Sequence, residues 1–442
     1  MNDNMTQKLL GQIIALFNNI VLNQTDSTMQ RSIAILNLPM MGLSEIHRMQ
    51  AKEIWFTSKT EEHLKIIVKY LNVLDNTRLL CRDIPKKELE ELILSIISTE
   101  AFRCSYLNAD SIMFNQNITL IECRTINDKV EFAMEYYMDI LKLLHSKQIH
   151  WLNAIPLIKI KMESFELGYD GIIIAKRCDK EFWNKFIEKY PICVNYDICS
   201  LNIQGHTTSL YNDVVVICKN YGSQKYAKLD AELKIKKFIA IFFSFVSVKN
   251  NHSFLKSEYS EKSWCIQLPL GGNNHLTQGS YSQSLLPCYI RDYIENTDIE
   301  EIKNYYILFE SMSEEIKNRL STATTFINHA MNSNNSTDIF LNYYISLDAL
   351  FGIECHVKKS IEAGIELLIS DKVLRSKAKL LYKLRNELVH GGSKFIEEWS
   401  EYENYYHKFK DNDILADMEK IAFECLNKYP YKIDNTFFDM FI

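Results

Sequence analysis

The chain of 442 residues has no CxxC pair, and its 11 cysteines are scattered. An odd count without paired spacing argues against a disulfide framework and against a zinc knuckle. Reduced thiols, and so a cytoplasmic protein, are the expectation. Positive charge is not in excess either. Lys and Arg number 50 against 56 Asp and Glu, a formal net charge of −6. A wholly basic nucleic-acid coat is excluded, but a local basic patch is not. Long apolar runs are also missing. The most apolar stretch, FIAIFFSFVSV at 238–248, falls short of the about 20 residues that a membrane-spanning helix needs. The opening MNDNMTQKLLGQIIALF lacks a basic stretch and a small-residue cleavage site, so no secretory start is expected. No internal repeat and no low-complexity tract is visible.

What is present is ordinary for a globular protein: 47% hydrophobic and 24% charged residues. The length suggests about two or three domains. Two textures follow one another. Up to residue 290, helical and strand patterns mix. KELEELILSIIS (87–98) has apolar residues at helical spacing, as does KVEFAMEYYMDILKLLHS (129–146), with Phe132, Tyr136, Ile140 and Leu143 at steps of three and four. Between and after them lie β-like runs rich in β-branched and aromatic residues: ITLIEC (118–123), GIIIAK (171–176), DVVVICK (213–219) and FIAIFFSFVSV. LPLGGNNHLTQGSYSQSLLP (268–287) reads as a long loop or connection.

From 296 the strand signal disappears. Residues 296–332 predict one long helix or two. NSTDIFLNYYISLDALFGIE (335–354) opens with Ser336 or Thr337 as N-cap. KKSIEAGIELLIS (358–370) and DKVLRSKAKLLYKLRNELV (371–389) predict two more helices. Residues 397–429 predict the last, broken near Asp411. Amphipathic helices with short connectors indicate an antiparallel bundle. The apolar tail 431–442 is expected to dock on it. The fold expected is α+β: an N-terminal α+β region over 1–290, then an all-α bundle over 296–430.

The chemistry concentrates in KLRNELVHGG (383–392). Arg385, Asn386 and His390 stand beside two glycines. One reading is structural. Gly391 fits the left-handed position after a helix, Arg385 pairs with an acid such as Asp348, and His390 caps the last carbonyls. The other reading is catalytic. Arg385 lies four residues from Leu381 and three from Leu388, on the packed side, where an unpaired charge is expensive. His390 at the terminus is free to meet a substrate. Upstream, Lys372, Arg375, Lys379 and Lys383 form a basic stripe flanked by Lys377, opposite an apolar stripe of Leu374, Ala378, Leu381 and Leu388. It is either a solvated face or a surface that tracks phosphates.

Set in this bundle, LLYKLRNELVHGG resembles the HEPN domain in its Apea-like branch. That branch ends a helix with Tyr-x-x-Arg-Asn-x-x-x-His-Gly, matched here by Tyr382, Arg385, Asn386, His390 and Gly391. FLNYYISLDALFGIE resembles the family's second helix, where Glu often stands at the position of Asp348. The resemblance covers about 296–430 and says nothing of residues 1–290. It implies metal-independent RNA cleavage at a cleft between two protomers. Arg385, His390 and Asn386 would be catalytic, Tyr382 and Asp348 supporting, and Lys379, Lys383 and Arg375 RNA-binding. Implied partners are RNA, tRNA among the candidates, and a second copy of the chain. A phage-derived or nucleotide trigger would act at the N-terminal region, in bacterial anti-phage defence. The alternative is a HEPN-like module that dimerises or binds a nucleotide or partner without cleavage.

Other constellations are poorer. Cys355 and His356 adjoin without a further ligand at metal spacing. Cys193 and Cys199 have no nearby His pair. Gly168 and Gly171 make no dinucleotide fingerprint. No metal, cofactor or membrane association is expected.

Overall fold

The computed structural model describes residues 3–22, 31–34, 53–56, 58–107, 118–123, 128–157, 163–176, 178–190, 214–250, 264–270, 277–280, 296–409 and 413–441. The expected break near Asp411, the pair Cys193 and Cys199, and the end of the 268–287 loop lie outside them. The fold is α+β, with two compact units. One is Met1–Ile149 with Tyr221–Ala227; the other is His150–Asn220 with Lys228–Ile442. The six-stranded sheet below thus groups with the helices after 296, and the change of texture near 290 does not separate two cores.

The first unit opens with α1 (Asp3–Asn18). Its antiparallel sheet pairs β1 (Ile20–Leu22), β2 (Arg31–Ala34), β3 (Glu53–Phe56) and β4 (Ile118–Thr119) in the order β2-β3-β1-β4. Its other helices are α2 (Ser58–Leu71), α3 (Asp75–Arg82), α4 (Lys86–Leu107), α5 (Leu120–Cys123) and α6 (Lys129–Lys147). ITLIEC is thus strand only at its first two residues. The expected periodicity holds in α6 for Phe132, Tyr136 and Ile140, which are buried, while Leu143 is half-buried and its neighbour Leu144 fills the core. Phe17 of α1 meets Phe132 and Tyr136 edge-on, at centroid distances of 4.9 and 4.7 Å.

The second unit contains β5 (Ile149–Leu157) from His150, β6 (Phe165–Glu166), β7 (Ile172–Lys176), α7 (Lys180–Lys189), β8 (Val214–Gly222) as far as Asn220, α8 (Gln224–Asn250) from Lys228, β9 (Trp264–Leu270) and β10 (Thr277–Ser280). The strands order as β10-β9-β5-β8-β7-β6. In β7 and β8, alternate residues serve opposite faces. Ile173, Ala175, Val215 and Ile217 pack with Trp183 and Phe186 of α7. Ile172, Ile174, Val214 and Val216 join the main core with α8 and the bundle. A strand covered on both faces needs no polar alternation, which is why these runs read as continuously apolar. β9 and β10 form an antiparallel pair, so residues 268–270 and 277–280 of the expected 268–287 loop are strand.

FIAIFFSFVSV is not a strand. It lies in α8, and residues 235–247 are buried without interruption. A helix packed on all sides shows no amphipathic period, so β-rich composition misled the expectation. Its two interior lysines are paired, Lys236 with Glu232 at 2.6 Å and Lys237 with Asp170 at 2.5 Å.

The bundle comprises α9 (Asn296–Ser311), α10 (Glu314–Asn332), α11 (Ser336–Phe351), α12 (Val357–Leu368), α13 (Lys372–His390), a 3₁₀ turn (Ile396–Glu398), α14 (Tyr402–Lys408), α15 (Ile414–Lys432) and α16 (Asn435–Asp439). The expected cap of α11 is off by one: Asn335 accepts from the Asp338 amide. The tail docks as expected, with Phe437 and Phe438 buried in the main core. Among the described residues no helix is long and apolar enough to cross a membrane.

Candidate functional site

The site is built on α13. Asp371 caps the helix, accepting from the amides of Val373 and Leu374. Leu374, Ala378, Leu381 and Leu384 are buried along one stripe, while Leu388, expected there, is half-buried. Gly391 ends the helix at φ 78°, a left-handed conformation that costs a residue with a Cβ about 1–2 kcal/mol. The amides of Gly391 and Gly392 return to the Glu387 carbonyl, giving the C-terminus a fixed shape.

Arg385 is half-buried. Its Nη1 donates to Asn386 Oδ1 at 3.1 Å, and the guanidinium lies 6.0 Å from the Tyr344 ring centroid. Tyr344 in turn meets Tyr382 edge-on at 6.1 Å. Asp348 of α11 is close enough for its charge to feel Arg385, yet the two form no ion pair, so the expected pairing is not made. His390 is exposed at the last helical residue. By helix geometry it stands about 140° around the axis from Arg385 and about 40° from Asn386. Asn386 therefore lies between the two in angle and already touches one of them.

The basic stripe is less free than its sequence suggests. Lys379 Nζ is 2.8 Å from Glu366, and Lys383 Nζ is 2.5 Å from Glu401. The pairing holds the Glu366 carboxyl below its ordinary range and the Lys379 amine above its own. Arg375 Nη2 donates to the Ser370 carbonyl at 3.0 Å. Lys377, expected to flank the stripe, is buried. Its ammonium sits 2.7 Å from Asp417, whose other oxygen accepts from the Tyr405 hydroxyl at 2.8 Å. Its spacing gave the signal: it follows Leu374 by three residues and precedes Leu381 by four, and so belongs to the buried stripe.

A residue outside the expected set joins the site. Arg319 of α10 donates from Nη1 to the Gly352 carbonyl at 2.9 Å, and its guanidinium lies 4.5 Å from the Phe438 ring centroid. Its charge also reaches Asp348. No motif marks it, because the connection exists only where α10 and α11 meet.

Burial pushes the Asp348 carboxyl up, against the opposing pull of Arg385 and Arg319. A raised acid binds its proton more tightly in the folded state. Its contribution to stability is therefore present below the unfolded value and is lost as pH rises through the folded one. Asp348→Asn removes that penalty and keeps the side chain's shape. Thermal melts should show the variant equal to or above wild type at pH 7, with the difference closing toward pH 4. A variant less stable at pH 7 than at pH 4, relative to wild type, would show that the two arginines outweigh burial.

Among the described residues, no group of three or more His, Cys, Asp or Glu could hold a metal ion. No family model, curated protein or solved structure matches the chain.

Proposed function

We propose that the chain is a metal-independent endoribonuclease of the HEPN type. The observation that carries this reading is Arg385: a half-buried guanidinium held against Tyr344, in no ion pair, beside Asn386 and an exposed His390. A ribose 2′-OH attacks the adjacent phosphodiester. Histidine, with a reference pKa near 6.5, takes the 2′ proton or protonates the leaving 5′ oxygen. The pentacoordinate intermediate gathers negative charge, and the planar guanidinium of Arg385 holds its oxygens. Asn386 orients the phosphate or His390.

One protomer offers a single Arg385 and a single His390, while the reaction needs a base, an acid and charge stabilisation. A homodimer with a two-fold axis beside α13 supplies two of each. Val389 and Phe395, 50% and 56% exposed near His390, offer apolar surface for such a contact. Lys379 and Lys383 reach RNA by exchanging Glu366 and Glu401 for phosphate. The exchange is cheap, since exposed ion pairs contribute only about 0–1 kcal/mol. Residues 1–290 would sense a phage-derived or nucleotide trigger, the setting being the cytoplasm of a bacterium under phage attack.

The pairing of Lys379 and Lys383 favours a second reading, a non-catalytic HEPN-like module that dimerises or binds a partner. Sequencing RNA ends from cells separates the two. Expression of the wild type should create new internal ends, absent from cells expressing His390→Ala. Identical end profiles in the two would remove the enzyme reading.

A further inference from the structure

The cations around the site are held in two different ways. Lys379 and Lys383 of α13 are each closed by a glutamate, at 2.8 and 2.5 Å. Arg385 and Lys358 rest on aromatic rings instead. Arg385 lies 6.0 Å from the Tyr344 ring centroid, and the Lys358 ammonium of α12 lies 5.3 Å from that of Tyr382. The two rings meet edge-on at 6.1 Å. Side chains from α11, α12 and α13 thus form one line of contacts: guanidinium, ring, ring, ammonium. Among the described residues neither cation of this line forms an ion pair, although Glu354 and Glu362 stand four residues to either side of Lys358.

We infer that Lys358 is a second phosphate-binding residue, taking an RNA phosphate that flanks the one held by Arg385. A carboxylate neutralises a cation and takes up its N–H donors. A ring attracts the cation through its quadrupole and brings no opposing charge. Lys358 therefore keeps its full charge for an anion, where Lys379 and Lys383 must first give up a glutamate. Helix stability does not account for Lys358. It is the second residue of α12, whose first turn holds no acid, and a positive charge there opposes the helix dipole. Only the two rings separate Lys358 from Arg385, so the backbone of one single strand can meet both cations. The path of the strand then crosses from α13 to α12 over Tyr344 and Tyr382. The inference rests on the ribonuclease reading for its substrate, but the contact can be read without cleavage.

The test is the salt dependence of binding. A short single-stranded RNA carrying 2′-O-methyl groups has no 2′-OH and is not cut by this chemistry. Its fluorescence anisotropy measures binding to the full chain over a range of salt. Lys358→Gln should weaken binding several-fold. It should also make the plot of log affinity against log salt shallower by about 0.7, the value of one phosphate contact on a single strand. Lys358→Arg keeps the charge and should restore both. Lys147→Gln, at an exposed lysine of α6, should change neither. Lys358 is exposed, so melts of its variants should match the wild type. An unchanged slope in Lys358→Gln overturns the inference, as does an equal change in Lys147→Gln or a wild type that binds no RNA. Cleavage of the unmodified RNA keeps the two readings apart. Lost activity in Lys358→Gln should appear in KM more than in kcat. If the wild type binds with the Lys358-dependent slope and cuts nothing, the enzyme reading fails and the phosphate contact stands. If it cuts, and Lys358→Gln cuts with the same KM at every salt concentration, the enzyme reading stands and the phosphate contact fails.

Discussion

His390→Ala should lose at least about 10²-fold in RNA cleavage, the lower range for a general acid or base, while its melting temperature stays that of the wild type. Both halves follow from where the residue sits. His390 is the last residue of α13 and is exposed. The helix end is closed by backbone bonds from Gly391 and Gly392 to Glu387, which do not involve the imidazole. Removing the ring therefore leaves the cap intact. Rates measured at matched concentration, with melts of the same preparations, give the comparison. Full activity in the variant would show His390 to be a helix terminus and nothing more. Lost activity with an equal loss of folded protein would make the residue structural.

Lys377→Ala should destabilise the bundle by about 3–5 kcal/mol, the cost of leaving one partner of a buried ion pair alone. Lys377 and Asp417 are both nearly sealed from solvent, at 6% and 8% side-chain exposure. The Tyr405 hydroxyl holds the second Asp417 oxygen, and the Lys377 ammonium lies 5.4 Å from the Phe409 ring centroid. Without the lysine, the carboxylate keeps one neutral donor in an apolar setting. Lys377→Met with Asp417→Leu should cost less than Lys377→Ala alone, because no buried charge is left behind. Urea denaturation of the three proteins measures this. A loss under about 1 kcal/mol in Lys377→Ala would mean that water reaches Asp417.

The parts of the fold written in local pattern were legible. The Leu374–Ala378–Leu381 stripe and the Gly391 stop lie within one stretch of chain, and each acts on its neighbours. The same holds for β7 and β8, whose β-branched runs predict strands. Uniform burial hid α8, since a helix covered on every side has no polar face to set its period. Pairing across the chain hid the rest. Glu366 lies 13 residues from Lys379 and Glu401 lies 18 from Lys383, so the stripe looks unopposed on its own helix. Arg319 joins Asp348 only through the packing of α10 on α11. In the site itself, sequence placed Arg385 on the packed side and His390 at the terminus, and the structure has both there. The expected ion pair between Arg385 and Asp348 is not made: Arg385 instead donates to Asn386 and lies near the Tyr344 ring, partners that spacing alone does not rank.

The central claim is the chemistry at the scissile phosphate, and the ends of the products test it most directly. Purified full-length protein is incubated with an RNA oligonucleotide in EDTA, and with the same oligonucleotide carrying one 2′-deoxyribose at the cut. Mass spectrometry of the products should find 2′,3′-cyclic phosphate or 3′-phosphate ends in EDTA, and no cut at the deoxy position, which has no 2′-OH to attack. Strict dependence on a divalent ion, or equal cleavage at the deoxyribose, would contradict the account.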